Sequence, residues 1–135
     1  MSFVLDASVA LAWCFEDDSS GYSDRILDAL LTDEAIVTHL WTLEVPNGLV
    51  IAERRGRIDQ AKANGFIRTI LALPIAMDPG SRSAGSLEVR RLARLHRLSV
   101  YDASYLDLAL RTALPLATID VALRAAADRE GIGSP

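Results

Sequence analysis

The stretch FVLDASVALAWCF, residues 3–15, decides how the fold is read. Phe3 to Leu5 form a short apolar run with β propensity, Asp6 follows directly, and residues 9–15 carry a helical pattern. The same strand-then-helix order recurs along the chain. Further short apolar runs stand at residues 35–38, 74–77 and 116–119, and helical stretches at 24–31, 43–55, 59–73, 87–95, 103–113 and 121–129. In the 59–73 stretch, Ala63, Phe66, Ile67, Ile70 and Leu71 recur at helical spacing behind Asp59 as N-cap, and Pro74 ends the helix. Asp78, Pro79 and Gly80 read as a turn, and Pro115 marks the junction into the last strand. Strands alternating with helices predict an α/β fold, a three-layer α/β/α sandwich with a short parallel sheet. In such folds functional groups gather at the carboxyl ends of the strands.

Composition agrees with that architecture. The chain has 135 residues, 50% of them apolar, enough for one core and one domain over residues 1–135. Order is expected throughout, apart from the tail from Gly131 to Pro135. No apolar run approaches the roughly 18 residues of a membrane span, and no basic segment precedes the first apolar stretch, so a cytoplasmic location is expected. Cys14 is the single cysteine, which excludes an internal disulfide, and its neighbours Trp13 and Phe15 suit an inert buried thiol.

Four acids stand where the strand-end rule directs attention. Asp6 follows the 3–5 run, Asp120 follows the 116–119 run, Glu44 lies a few residues past 35–38, and Asp102 opens the 103–113 helix. Each alone is explained as a helix cap or a charge at the positive end of a helix dipole. Together they are harder to explain that way. Like charges about 4 Å apart repel by roughly 4 kcal/mol per pair at an effective dielectric near 20, and a few such pairs rival the roughly 5–15 kcal/mol that keeps a domain folded. Oxygen-only ligands suit a hard divalent cation such as Mg²⁺, which takes one or two carboxylates directly and keeps several waters. Such a site activates water for in-line attack on phosphorus, so phosphodiester hydrolysis is the expected reaction. His39 and His96 lie in different segments and form neither a zinc pattern nor an acid/base pair.

These motifs resemble the PIN-domain ribonucleases, and within them the VapC toxins of bacterial type II toxin-antitoxin pairs. VLDASV resembles the family's first strand and first metal-binding acid, with Ser8 at the place of the usual hydroxyl. LWTLEVPNGL is similar to the helix bearing the second acid, Glu44, with Asn47 three residues on, although Pro46 interrupts it. LSVYDASYLDLAL carries the third acid as Asp102, and LATIDVALRAAA carries Thr118 and the fourth acid, Asp120. The resemblance implies Mg²⁺ or Mn²⁺ dependence, cleavage of structured RNA, a homodimer, and inhibition by a cognate antitoxin. It also implies the roles: Asp6 and Asp102 as direct metal ligands, Glu44 and Asp120 orienting waters or completing the site, and Ser8, Asn47 and Thr118 hydrogen-bonding to them. A final edge strand, common in the family, has little room after Gly131 and Ile132.

The net charge of −4 runs against nucleic-acid binding, which normally draws on excess Lys and Arg. Acids gathered around a cation leave the remaining surface less acidic, and the basic residues are all arginine except Lys62. Two groups, Arg54, Arg55 and Arg57, and Arg90, Arg94 and Arg97, are candidate RNA contacts or ordinary solvated faces. Asp107 and the group Glu16, Asp17 and Asp18 lack a strand-end position and are expected to face solvent. A phosphoryl-accepting regulatory domain or an aspartate-nucleophile phosphatase would share the pattern but needs a strand-end lysine, and Lys62 lies inside a helix. The remaining alternative is a non-catalytic binding domain whose acidic pocket receives a basic partner protein.

Overall fold

The computed structural model describes residues 1–15, 17–18, 20–80 and 87–135. The elements run β1 (Ser2–Leu5), α1 (Ala7–Cys14), α2 (Gly21–Ala29), β2 (Glu34–Val37), α3 (Trp41–Arg54), α4 (Gln60–Leu71), β3 (Ile75–Met77), α5 (Leu87–His96), α6 (Val100–Thr112), β4 (Leu116–Ala117) and α7 (Val121–Arg129). The four strands form one parallel sheet in the order β3-β2-β1-β4. Every expected strand and helix is present, with ends displaced by a few residues.

The strand order reverses at β1. The chain steps from β1 outward to β2 and β3, then returns across the sheet to place β4 on the other side of β1. Right-handed crossovers therefore put α1 to α4 on one face and α5 with α6 on the other. The packing follows this division. α1 packs on α2 and α3, and α3 on α4, while α5 packs on α6, and α6 packs on α7, β1 and β4.

Local sequence sets the element ends. Ser20 and Ser23 form a reciprocal capping box at the start of α2, and Asp59 accepts the Lys62 amide at 2.8 Å as expected. Pro46 sits inside α3 without ending it. It removes one donor, but Thr42, whose carbonyl loses that partner, is exposed and accessible to water. α6 is buried from Ala103 through Ala109, wedged between its neighbouring helices and the sheet. It ends at Ala113, which adopts the left-handed conformation with φ 55° and ψ 36°.

Two expectations are corrected here. Asp107 does not face solvent: it is 3% exposed within α6. Its carboxylate accepts from Arg111 Nε at 2.8 Å, and the same guanidinium reaches Asp78 at 3.0 Å, tying α6 to the turn after β3. The i, i+4 spacing to Arg111 makes that burial tolerable, because a charge leaves water only when paired. The tail is also anchored rather than loose. The Leu116 amide donates to the Gly133 carbonyl at 2.9 Å, Tyr22 and Ser134 hydroxyls are 2.7 Å apart, and Arg124 donates to the Leu116 and Ile132 carbonyls. No strand is assigned to it. Asp17 and Asp18 are exposed, as expected, and meet Arg57 at 3.9 and 3.3 Å; Glu16 lies outside the described residues. His96 is structural, within 3.1 Å of Glu130, and Cys14 is buried.

The left-handed Ala113 costs the native state about 1–2 kcal/mol that glycine would not incur. Glycine gives back part of this through a more flexible unfolded chain. A113G is therefore expected to stabilise the protein by roughly 0.5 kcal/mol, raising the thermal midpoint by about 2 °C. A lowered midpoint in a calorimetric scan would show that the cap is unstrained.

Candidate active site

The site lies in the crevice where the strand order reverses, at the carboxyl ends of β1 and β4. Val4 pairs with Leu116 and Leu5 with Ala117, and the Asp6 amide continues the ladder to the Ala117 carbonyl at 3.0 Å. Asp6 and Asp120 are thereby brought to adjacent strand ends. The Asp6 side chain is 4% exposed and does not cap α1. Its Oδ2 instead accepts hydroxyl protons from Ser8 at 2.6 Å and Thr118 at 2.7 Å. Those hydroxyls accept in turn from the Ile119 amide (3.3 Å) and the Asp120 amide (3.1 Å). One hydrogen-bonded chain thus links the end of β1, the start of α1 and the turn after β4.

The other two acids arrive on helix first turns. Glu44 projects from α3, where Tyr105 donates its phenolic proton to Oε1 at 2.7 Å. Asp102 was expected at the very start of its helix, but α6 begins two residues earlier and Ser99 performs the capping, accepting the Asp102 amide at 3.1 Å. The Asp102 carboxylate is therefore released from cap duty. Asp120 does cap, accepting the Leu123 amide at 2.8 Å. Asp6, Glu44, Asp102 and Asp120 all border one open cleft of about 300 Å³, together with Ser8 and Asn47. Thr118 sits behind it, buried against Asp6.

The PIN domain family matches residues 3–129 of this chain. The chain belongs to that family. PIN domains are generally nucleases and typically use divalent metal ions. Among solved structures, the crystal structure of PAE2754 from Pyrobaculum aerophilum is similar, with a TM-score of 0.67 and 28% identity over 93% of this chain and 79% of that one. No curated protein matches significantly. No helix among the described residues is long and apolar enough to cross a membrane.

The electrostatics of this PIN domain carry the mark of crowded like charge. Asp102 is pushed up to about 6, first by burial and then by Asp120, Asp6 and Glu44. Burial raises Glu44, opposed by the Tyr105 hydrogen bond and reinforced by Asp6. Burial raises Asp6 as well, opposed by the bonds from Ser8 and Thr118. The donor set fits a hard divalent ion, because the cleft offers carboxylate oxygens and, among the described residues, no His or Cys lines it. No three such groups among the described residues already converge on a single ion position. The four acids thus border one cleft without meeting at one point.

Tyr105 is the site residue that the motifs did not single out. It is fully buried, and burial followed by the Glu44 contact holds its phenol above the usual range, so it stays protonated and donates to Glu44. Its helical spacing of three from Asp102 was the available signal.

The raised Asp102 value has a consequence for stability. Because about 6 lies above the ordinary 3.8, the stability this group contributes is complete below about pH 4 and is lost as pH rises through about 6. In a chelator the protein is expected to melt several degrees lower at about pH 7 than at about pH 5, and D102N should flatten that dependence. Identical slopes for the two proteins in thermal melts would show that the Asp102 carboxyl is not raised in the folded protein.

Proposed function

We propose that this PIN domain, one domain over residues 1–135, is a metal-dependent endoribonuclease acting as the VapC-type toxin of a toxin-antitoxin pair. The convergence of Asp6, Glu44, Asp102 and Asp120 on a single cleft carries this reading, because a divalent cation would offset both the burial that raises Asp102 and the repulsion of the neighbouring acids. Asp6 and Asp102 would hold Mg²⁺ or Mn²⁺ directly, and Glu44 and Asp120 would orient its waters or complete the site. When bound, the cation polarises a phosphoryl oxygen and acidifies water for in-line hydrolysis of a phosphodiester.

The chain's own residues prepare the site for that chemistry. Ser8 and Thr118 fix the Asp6 carboxylate through Oδ2, so that it meets the cation in one orientation. Tyr105 fixes Glu44 in the same way from the opposite wall. Asn47 borders the cleft one helical turn beyond Glu44 and would offer its amide to a carboxylate or a metal-bound water. The resemblance to VapC toxins supports a homodimer held by a cognate antitoxin in the cytoplasm. Arg57 is engaged by Asp17 and Asp18, which leaves Arg54, Arg55 and the α5 arginines Arg90 and Arg94 as candidates for phosphate contact.

Purified protein free of antitoxin is expected to cut cellular RNA with Mg²⁺ or Mn²⁺ and to stop in a chelator. D6N and D102N should each reduce the rate on the order of 1,000-fold, the scale of losing a principal charge-stabilising group. RNA cutting that survives both substitutions would reject the mechanism and leave the cleft as a receptor for a basic protein segment. Y105F removes a proton donor without changing shape, and is expected to lower metal affinity or rate roughly tenfold. Growth arrest on induced expression, relieved by D6N, tests the toxin role.

A further inference from the structure

An apolar groove adjoins the acidic cleft and shares two of its walls. It is lined by Leu40, Leu43, Glu44, Asn47 and Tyr101, and Glu44 and Asn47 also border the cleft. Leu43 is 68% exposed and Tyr101 61% exposed, so large apolar side chains stand in solvent directly beside the carboxylates. Tyr101 immediately precedes Asp102 on α6 and its hydroxyl makes no hydrogen bond among the described residues. Exposed apolar surface gathered in one place, rather than scattered, marks an interaction site.

From this juxtaposition we infer that the groove is the subsite for an unpaired nucleobase flanking the scissile phosphate, with Tyr101 as its stacking platform. The inference rests on the ribonuclease reading above. Charge decides which part of a nucleotide belongs there. Among the described residues no Lys or Arg lines the groove or the cleft, so nothing in the groove attracts a phosphate, whereas an aromatic face and two leucines favour a neutral planar ring. Position decides which nucleotide. A phosphate in the cleft has its neighbouring base within one nucleotide's reach, because Glu44 and Asn47 border both the cleft and the groove. Asn47 adds an amide that can donate to and accept from a base edge, the kind of contact through which single-stranded RNA is read.

The inference makes Tyr101 a substrate-binding residue. Stacking survives in Phe and Trp and is lost in Ala, so Y101A is expected to raise KM for a short single-stranded RNA spanning a mapped cleavage site by about 5- to 30-fold. Y101F and Y101W should stay within about twofold of wild type. Replacing the flanking nucleotide by an abasic one should cost wild type the same factor and cost Y101A little more, since both changes delete one contact. Thermal melts verify that each variant is folded, which an exposed side chain permits. If wild type cuts RNA and Y101A matches it, or if the abasic loss is equal in both proteins, the subsite is refuted while the nuclease reading stands. If wild type cuts no RNA, the reading itself fails and the subsite with it. If Y101A and L43A weaken capture of a protein partner while leaving RNA kinetics intact, the groove is a protein-docking surface and the inference is overturned.

Discussion

The placing of β4 beside β1 is the constraint on which the site depends. The ladder from Val4 through Asp6 to Ala117 fixes two strand ends side by side, and each is followed by an acid. An ordinary core would not keep a carboxylate at 4% exposure in that position. Here Asp6 is retained because two hydroxyls and the backbone amides behind them form a closed set of donors around it. The sheet order, rather than any local propensity, concentrates negative charge at the crevice.

Helix starts deliver the other half of the charge, and capping decides how much of each acid remains free. Ser99 relieves Asp102 of capping, and Tyr105 steadies Glu44 from a helix on the far side of the cleft. Asp120 serves both its helix and the cleft. A carboxylate that satisfies backbone amides is stabilised in its charged form, and one without such donors feels its neighbours fully. Asp102 is pushed up to about 6 by burial first and then by Asp120, Asp6 and Glu44, against one hydrogen bond from Ser99.

Much of this was legible in the sequence, because the signals were local. Apolar runs such as Phe3 to Leu5 mark strands wherever they occur, and the strand-end rule then gathers Asp6 and Asp120 without knowledge of register. The capping question was not legible. Asp6, Asp102 and Asp120 all look like N-caps, and only the observed bonds separate Asp120, which caps, from Asp6 and Asp102, which do not. Tyr105 escaped notice because its partner lies 61 residues away. Asp107 was misread for a related reason: burial depends on Arg111 reaching both it and Asp78, a three-residue arrangement that no single motif announces. The tail was misread because five residues rich in glycine look loose until the Leu116 amide that holds them is seen.

That tail settles what the sheet can do at its margin. β4 turns the amide and carbonyl of Leu116 away from β1, and both are consumed within the molecule, one by Gly133 and the other by Arg124. Neither outward-facing backbone group of Leu116 is left for another polypeptide to template on. Gly133 and one guanidinium thus stand in for an edge strand beside Leu116, which blunts strand addition on the side nearest the carboxylates.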